Sequence, residues 1–301
     1  MSIVLLSGGT GGAKLARGLF DVLGDELAVI ANTGDDIEIY GAYVSPDPDL
    51  VSYWLADRID ERGWGIDGDT FGAMEMLGEL GRDVWFSLGD RDLGFCLERR
   101  RLLDAGRTLS EAHQALTSAL GVSARVIPMS DDRVRTTIRT GERTIALQEF
   151  LIAHGGALPI DDIRFEGAAE AAASPSALEA LGAARAIIIG PSNPIISIGP
   201  ILAIDAIRTA IEASAAPVIA VSPIVGGKVL KGPTAACLAW AGETADAGGV
   251  ARHYGPLIDA IVADQPVAGI RCYECDTWMG GSTARRQLAQ HTLALADELM
   301  G

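Results

Sequence analysis

The chain has 301 residues, of which 49% are hydrophobic, and it carries a formal net charge of −16 at pH 7. This hydrophobic content is enough to bury a core, so intrinsic disorder is excluded. The negative charge argues against a nucleic-acid partner, which needs a basic footprint. An anionic substrate must therefore bind where a metal ion, helix N-termini or individual Lys and Arg residues neutralise the charge locally.

No basic leader or apolar signal segment precedes the first predicted strand, and no apolar run reaches the roughly 18 residues of a membrane span. The four cysteines fit reduced thiols in a chain of this length. We therefore expect a cytoplasmic protein that does not bind a membrane.

The N-terminal segment predicts a strand, a glycine turn and a helix. The apolar run Ile3–Leu6 stops at Ser7–Lys14, which reads SGGTGGAK, and an amphipathic segment follows at once. Backbone N–H groups at such a turn can converge on a phosphate. The alternative is that the glycines only let the strand and the helix pack closely.

A second short strand, Leu27–Ala31, ends at the polar segment Asn32–Asp36, which reads NTGDD. In an open α/β sheet the two strand ends meet over one crevice, so N–H donors and carboxylates share it. A phosphate and carboxylates packed this closely need a cation between them. The sequence therefore predicts a divalent metal site.

The region from about residue 70 to 165 departs from the α/β rhythm. Helical patterns occur at Leu50–Arg62, Thr70–Leu80, Leu93–Ala105 and Leu109–Leu120, the last with a capping box at Thr108 and Glu111. A period of two on both sides of the turn Gly141-Glu142 predicts a β-hairpin. We interpret this region as a helical and hairpin α+β insertion into the main sheet.

The α/β rhythm returns in the C-terminal half. Buried strands are predicted at Ala186–Ile189, Pro217–Val221 and Ile258–Val262, and a final helix at Ala284–Met300. The prediction is an α/β fold: one Rossmann-like domain over residues 1–301, with a doubly wound, mainly parallel sheet that carries the smaller insertion. Its ligands should bind beyond the carboxyl ends of the strands.

Four carboxylates, those of Asp35, Asp36, Asp47 and Asp49, lie within fifteen residues of the loop that follows the second strand. Aspartate also favours turns and helix caps, and Asp49 precedes a helical pattern that it can cap. Four such residues opposite a phosphate-type turn favour metal binding or hydroxyl orientation over four separate caps.

Three further segments admit two interpretations each. The proline-rich loop Gly190–Pro200 suits an anion or a sugar, or is a rigid crossover loop. Leu88–Leu93 places an Arg between two acids, which is also the pattern of a solvated, salt-bridged helix cap. Arg99–Arg101 predicts a solvated helix face or one local anion site. No arrangement in the sequence indicates covalent catalysis.

The motifs, taken in order, carry a family resemblance. They are Ser7–Lys14, Asn32–Asp36, Val44–Asp49, Gly63–Ile66 with Asp69–Phe71, Leu88–Leu93, Pro128–Asp132, Gly190–Pro200 and Val221–Gly226. Together they resemble the 2-phospho-L-lactate transferase family of coenzyme F-420 biosynthesis. The resemblance implies a magnesium-dependent phosphotransferase. It would join the ribityl hydroxyl of Fo (8-hydroxy-5-deazariboflavin) to a phosphorylated acid carried as a guanosine diphosphate diester, releasing GMP.

The resemblance also implies roles for individual residues. Asp49 and Arg91 match family positions that contact Fo, and Asp49 and Asp36 are the candidate catalytic residues. The candidate phosphate and nucleotide ligands are Gly8, Thr10, Gly11, Gly12, Lys14, Ser192, Asn193 and Ser197. Asp35 and Asp36 are predicted to bind Mg²⁺, on chemistry more than on the resemblance. The expected partners are small molecules and a second copy of the chain, with Leu147–Ile152 as a candidate dimer interface.

Two departures from the family pattern concern the donor acid. Gly94–Cys96 stands where the family usually has Ala-Thr-His, and Phe150–His154 replaces an aromatic and basic segment. If Cys96 and His154 line the acid pocket, a larger acid such as 3-phosphoglycerate would be accepted at least as well as phospholactate or phosphoenolpyruvate. The alternative is that both residues pack away from the site.

Two rival functions share parts of the pattern. A related group of UDP-sugar-binding metabolic regulators has the GGTG turn and a following Asp-Asp, but typically continues Gly-Gly-Ser-Ser, whereas this chain reads Ile37-Glu38-Ile39-Tyr40. A dinucleotide-dependent oxidoreductase requires a G-x-G-x-x-G turn and an acidic residue at the end of the second strand. Neither feature is cleanly present.

Overall fold

A seven-stranded sheet forms the centre of the structure, a computed structural model that describes residues 2–301. Its strands are β1 (Ser2–Ser7), β2 (Leu27–Ala31), β5 (Arg125–Pro128), β9 (Ala184–Ile189), β10 (Val218–Val221), β13 (Ala260–Ala263) and β14 (Arg271–Glu274). They lie in the order β14-β13-β10-β9-β1-β2-β5, and all neighbouring pairs are parallel.

Three small antiparallel sheets surround this centre. They are the hairpin β3 (Ile37–Ile39) and β4 (Ala42–Val44), the sheet of β6 (Arg135–Thr140), β7 (Arg143–Ala146) and β8 (Asp162–Glu166), and the hairpin β11 (Ile224–Val225) and β12 (Lys228–Val229). The hairpin predicted around Gly141-Glu142 is confirmed, because β6 and β7 pair across that turn.

The helices are α1 (Gly9–Leu23), α2 (Pro46–Leu55), α3 (Gly72–Glu79), α4 (Asp90–Asp104), α5 (Leu109–Ala119), α6 (Pro175–Gly182), α7 (Gly199–Leu202), α8 (Asp205–Glu212), α9 (Thr234–Trp240), α10 (Ala247–Tyr254) and α11 (Ser282–Met300). Short 3₁₀ turns lie at Gly24–Glu26 and Gly255–Leu257, and π-helical turns at Glu149–Ala153 and Pro194–Ile198. The predicted capping box of α5 is formed by Thr108 and Glu111.

Helices cover both faces of the central sheet. Successive side chains of a strand point to opposite faces, so Ile3 and Leu5 pack in the core with α1, α2 and α11, while Val4 and Leu6 pack in the core with α6, α8 and α10. This arrangement confirms the predicted Rossmann-like, doubly wound α/β fold. Among residues 2–301, no single helix is long and apolar enough to cross a membrane. The bent helix pair Pro194–Leu202 and Asp205–Glu212 has the combined length and apolar composition of a membrane span, but no more than that points to one.

Two predicted boundaries are wrong. Helix α2 begins at Pro46 and not at Leu50, because proline is favoured in the first turn of a helix, and Asp47 and Asp49 therefore belong to that turn. The predicted insertion over residues 70–165 is not continuous, because β5 lies inside it and pairs with β2 in the central sheet. This strand lies at the sheet edge, and its consecutive residues Val126 and Ile127 are buried in the cores on opposite faces.

The order of the strands places the polar loops together. The chain builds β2 and β5 on one side of β1 and then β9, β10, β13 and β14 on the other. A crevice forms at such a reversal, beyond the carboxyl ends of the strands. The small sheet of β6, β7 and β8 docks beside it, where the Thr136 N–H donates to the Gly34 carbonyl oxygen at 2.6 Å.

The close contact of α1 with α11 generates a stability prediction. A Cβ at the buried Gly18 would lie 2.4 Å from the carbonyl oxygen of Arg285, so Gly18→Ala forces the two helices apart. We expect Gly18→Ala to lower the free energy of unfolding by roughly 1–3 kcal/mol, measured by urea titration. Gly78→Ala in α3 is the control, because a Cβ there meets open space and alanine favours helix by about 1 kcal/mol. Equal losses in both variants would contradict the packing argument.

Candidate active site

Two adjoining cavities open at the carboxyl ends of the central strands. The first, the aromatic cavity, has a volume of about 480 Å³ and is lined by Tyr53, Trp64, Phe71, Trp85 and Phe86 together with Arg62, Asp47, Asp49, Asp69 and Asp92. The second, the glycine-turn cavity, has a volume of about 430 Å³ and is lined by Gly8, Gly9, Thr10, Gly11, Lys14, Ser192, Asn193, Ser197, Lys231 and Trp278, among others. Leu151 lines both, so one wall is shared.

The two cavities differ in charge. The lining of the glycine-turn cavity contains two lysines, Lys14 and Lys231, and no acidic residue. The lining of the aromatic cavity contains four aspartates and one arginine. In a chain with a net charge of −16, the glycine-turn cavity is therefore suited to an anion, as the composition required.

The glycine turn is compatible with both interpretations of its sequence, close packing of the helix and binding of a phosphate. A Cβ at Gly11 would lie 1.9 Å from the Pro191 carbonyl oxygen, so this position must be glycine for α1 to approach the loop after β9. Gly12 is buried against the hydroxyl groups of Ser7 and Ser192 and does not line the cavity. Close packing thus explains these two glycines, while Gly8 to Gly11 still face the space where a phosphate would bind.

The loop after β9 is held rigid on the opposite wall. The Asn193 side-chain oxygen accepts hydrogen bonds from the N–H groups of Ile195 and Ile196 at 2.9 and 3.2 Å and so caps the π-helical turn. Ser192 accepts a hydrogen bond from the Gly8 N–H at 3.3 Å. Ser192, Asn193 and Ser197 line the glycine-turn cavity, so the rigid crossover and the ligand-binding interpretations are compatible.

Three buried carboxylates lie beside the glycine turn. The Asn32 amide donates to Asp47 at 2.9 Å and to Asp35 at 3.5 Å, and the Gly9 N–H donates to Asp47 at 2.6 Å. Gln148 donates to the other oxygen of Asp35 at 3.0 Å. Asp36 lies next to this pair in sequence and accepts a hydrogen bond from the Ser45 hydroxyl at 2.8 Å.

Burial makes these carboxylates resist ionisation. It raises the pKa of Asp36 to about 7 and that of Asp47 to about 6. Burial and the neighbouring charges of Asp47 and Asp36 raise the pKa of Asp35 well above its usual range. The outer oxygen of Asp36, Oδ2, is buried without a hydrogen-bond partner. Within residues 2–301, the ligand atoms of these three carboxylates do not all lie within 4.8 Å of one another, and Asp35 and Asp36 line neither cavity. A hard divalent cation would offset the cost of their burial, but it would also have to draw the carboxylates together.

A second acidic group lies in the wall of the aromatic cavity and does not suit a metal. Potential ligand atoms of Asp49, Asp92 and Cys96 lie within 4.8 Å of one another. However, both oxygens of Asp49 accept hydrogen bonds from the fully buried guanidinium of Arg99. Burial also raises the pKa of the Cys96 thiol well above its usual range, so it stays protonated. Arg99 therefore already supplies the positive charge at this position.

The buried pair of Asp49 and Arg99 corrects the sequence interpretation of Arg99–Arg101. Arg100 and Arg101 form exposed ion pairs, as a solvated helix face requires, but Arg99 points inward. His113 completes the surroundings: its ring contacts the Ser52 hydroxyl at 3.1 Å, and burial, followed by the charge of Arg99, lowers its pKa well below the usual range. His113 is consequently neutral beside Asp49.

Arg91 lies at the rim and does not line either cavity. The Arg91 guanidinium donates to the Asp67 carbonyl oxygen at 3.0 Å, and the Arg91 backbone N–H donates to the Asp69 carboxylate. The neighbouring Asp90 accepts hydrogen bonds from the N–H groups of Gly72 and Ala73 at the start of α3. Asp90 therefore caps the start of α3 and not that of α4, the helix that this segment was predicted to cap.

Neither residue predicted for the donor-acid pocket is where the prediction placed it. Cys96 is fully buried in α4 and contacts Asp49 and Asp92 from behind the cavity wall. His154 lies after the π-helical turn Glu149–Ala153, 3.6 Å from Glu149. Neither lines the two cavities, so the argument for 3-phosphoglycerate loses its structural basis. In the interface candidate Leu147–Ile152, Leu147 and Phe150 are core residues, and Ile152 is exposed and lines the aromatic cavity, so the dimer stays a prediction.

Sequence reasoning did not assign the aromatic residues or Lys231 to a site. Trp64 is half exposed, and the Arg62 guanidinium stacks 4.3 Å from its ring centre at the mouth of the aromatic cavity. Trp85 and Phe86 come from the segment before α4, and Trp278 from the segment before α11. An exposed tryptophan between two glycines, as in Gly63-Trp64-Gly65, was the available signal.

The Asp49–Arg99 pair predicts an asymmetric effect on stability within one helix. Arg99→Met leaves the Asp49 carboxylate buried without its partner, so we expect roughly 3–5 kcal/mol of lost unfolding free energy. Arg100→Met and Arg101→Met are matched controls on exposed positions, and each should change stability by less than about 1 kcal/mol. Urea unfolding of the three variants measures this. The double variant Asp49→Asn/Arg99→Met should recover part of the loss, and no recovery would contradict the unpaired-charge explanation.

Comparisons with known proteins agree with this geometry. The profile of the family described as 2-phospho-L-lactate transferase CofD matches residues 3–278. A phosphoenolpyruvate transferase from Kitasatospora aureofaciens is 41% identical, with 99% of each chain covered. A 2-phospho-L-lactate transferase from Methanosarcina mazei is 36% identical, covering 96% of this chain and 98% of the relative.

Solved structures support the same fold. A UPF0052-family protein from Bacillus halodurans superposes with a TM-score of 0.65 at 14% identity, covering 97% of this chain and 98% of that protein. This likeness shows the fold alone. The profile match and the identities to curated relatives go further, and on them the chain belongs to the 2-phospho-L-lactate transferase CofD family.

Proposed function

We propose that this transferase moves a phosphorylated acid from a guanosine diphosphate diester to the ribityl hydroxyl of Fo, releasing GMP, as a step of coenzyme F-420 biosynthesis. The observation that carries the proposal is the division of one crevice into a cationic cavity and an aromatic, acidic cavity, linked by the buried Asp47, which lines the second and accepts a hydrogen bond from the Gly9 N–H of the first. Such a crevice can hold an anionic donor and a flat, hydroxylated acceptor side by side.

The aromatic cavity is the proposed acceptor site. The deazaflavin ring is flat and largely apolar, and Trp64, Trp85 and Phe71 supply aromatic faces and edges for it. The ribityl chain carries hydroxyl groups, and carboxylates can accept hydrogen bonds from them. Asp49, Asp69 and Asp92 line the same cavity. We therefore place the ring among the aromatic side chains and the ribityl chain towards the carboxylates.

The glycine-turn cavity is the proposed donor site. Lys14 and the first turn of α1 offer positive charge and N–H groups to the diphosphate. Asn193, Ser192 and Ser197 offer polar groups from the opposite wall. The relatives are named for the transfer of phosphoenolpyruvate and of 2-phospho-L-lactate, so we propose these two acids as the transferred groups.

The proposed reaction forms one bond to phosphorus and breaks another. The Fo hydroxyl oxygen bonds to the acid-bearing phosphorus, the bond from that phosphorus to the GMP oxygen breaks, and the hydroxyl proton leaves to a base or to water. Asp35, Asp36 and Asp47 would hold Mg²⁺. When bound, the cation neutralises charge that develops on the phosphoryl oxygens and on departing GMP. Asp49, which accepts hydrogen bonds from Arg99, would orient the acceptor hydroxyl.

The direct test is a transfer assay. Purified protein is incubated with Fo, Mg²⁺ and each of three guanylylated acids, carrying phospholactate, phosphoenolpyruvate or 3-phosphoglycerate, and GMP release is followed by chromatography. We expect Fo-dependent GMP release with one of the first two donors. GMP release that does not depend on Fo, or binding of UDP-sugars in its place, would contradict the proposal.

The carboxylates predict metal dependence. We expect Asp35→Asn, Asp36→Asn and Asp47→Asn each to lower Mg²⁺-dependent transfer by at least about 100-fold, because a neutral amide does not replace a carboxylate on a hard cation. Asp25→Asn, at an exposed position, is the control. Binding of Mn²⁺ to the free protein, followed by electron paramagnetic resonance, should weaken in the same three variants. Unchanged Mn²⁺ binding would exclude these residues as ligands.

The aromatic cavity predicts where Fo binds. Trp64→Ala should weaken Fo binding by roughly tenfold, the usual value of one stacking face, and leave GDP affinity unchanged. Trp240→Ala removes an equally large side chain of similar exposure that lines neither cavity, and should have no effect. Titration of Fo fluorescence measures both variants. A loss of GDP affinity in Trp64→Ala would show that the two cavities are assigned in the wrong order.

A further inference from the structure

The lysines of this chain are concentrated at one place. Of 24 basic residues only three are lysine, and they are Lys14, Lys228 and Lys231. Lys14 is on α1, and the other two belong to the hairpin β11–β12 and the segment directly after it. Lys14 and Lys231 come from distant parts of the sequence yet line the same cavity, whereas Lys228 lines neither cavity.

The two cavity lysines face each other without an acid between them. Burial lowers the pKa of Lys14, and the charges of Lys231 and Arg285 lower it further, so every charge that acts on this ammonium is positive. Two like charges at one cavity repel each other, and this repulsion costs free energy as long as no anion is bound. A ligand with two or more negative charges between them removes that cost.

The backbone around Lys231 can bring its side chain to the ligand. Gly226 and Gly227 form the hairpin turn, and Gly232 follows Lys231, and all three have positive φ angles of 59°, 70° and 70°. The turn is anchored by Asp264, whose carboxylate accepts a hydrogen bond from the Gly226 N–H. Lys231 itself is exposed and lines the glycine-turn cavity.

We propose that Lys231 binds the diphosphate of the donor from the side opposite to Lys14, so that the nucleotide is held between two lysines. The inference rests on the proposed function for the identity of the nucleotide, but the anion-binding role follows from the charge of the cavity. Lys231 would touch the substrate directly. In this acidic protein, binding of the diphosphate thus depends on the Lys231 ammonium, which lies outside the glycine-turn motif.

The test measures binding to the intact protein by calorimetry. We expect Lys231→Gln to weaken GDP binding by roughly tenfold or more, the usual loss for a charge-assisted hydrogen bond. Lys231→Arg should recover part of it. Lys228→Gln, in the same hairpin but outside the cavity, is the matched control and should bind GDP like the unmodified chain. Affinity for guanosine, which has no phosphate, should be equal in all variants.

The outcomes separate the two proposals. If Lys231→Gln and Lys228→Gln bind GDP equally well, the role of Lys231 is overturned and the proposed function is untouched. If the unmodified chain binds inorganic pyrophosphate in a Lys231-dependent manner but does not bind GDP, the guanosine donor is overturned and the diphosphate role of Lys231 stands. If the unmodified chain binds neither probe, both proposals are overturned.

Discussion

The contact between the first turn of α1 and the loop after β9 is the constraint on which the site depends. Gly11 lies against the Pro191 carbonyl oxygen so closely that no other residue fits. This contact occurs between β1 and β9, where the strand order reverses, and it brings the glycine turn and the loop Gly190–Pro200 to one cavity. The glycines therefore build the cavity wall first, and any phosphate contact depends on that packing.

Buried charge is the second organising feature. Asp49 and Arg99 neutralise each other in the wall of the aromatic cavity, and removal of either partner leaves an unpaired charge away from water. Asp35, Asp36 and Asp47 accept hydrogen bonds from amide, hydroxyl and backbone N–H groups, and burial raises their pKa values. Buried aspartates thus occur in two settings. Asp49 is neutralised by Arg99, whereas Asp35, Asp36 and Asp47 are carboxylates that a divalent cation would stabilise.

The two cavities differ in charge relative to the whole molecule. The glycine-turn cavity is cationic although the molecule is negative, whereas the aromatic cavity is acidic like the molecule. A net charge of −16 repels a nucleotide diphosphate at long range, so local cations must provide the attraction. In the proposed function, Lys14 and Lys231 would provide it in the glycine-turn cavity that they line. The aspartates of the aromatic cavity instead suit a neutral acceptor with many hydroxyl groups.

The sequence by itself determined the α/β fold, most elements and the family, because apolar runs, glycine turns and caps are local signals. The capping box at Thr108 and the hairpin around Gly141 were predictable for that reason. The tertiary structure decided which charges are paired: Arg99 points inward although Arg100 and Arg101 point outward, and Cys96 lies behind the cavity and not in it. Lys231 and Lys14 share a cavity across more than two hundred residues of chain. Such contacts depend on how distant segments pack, and no local pattern encodes them.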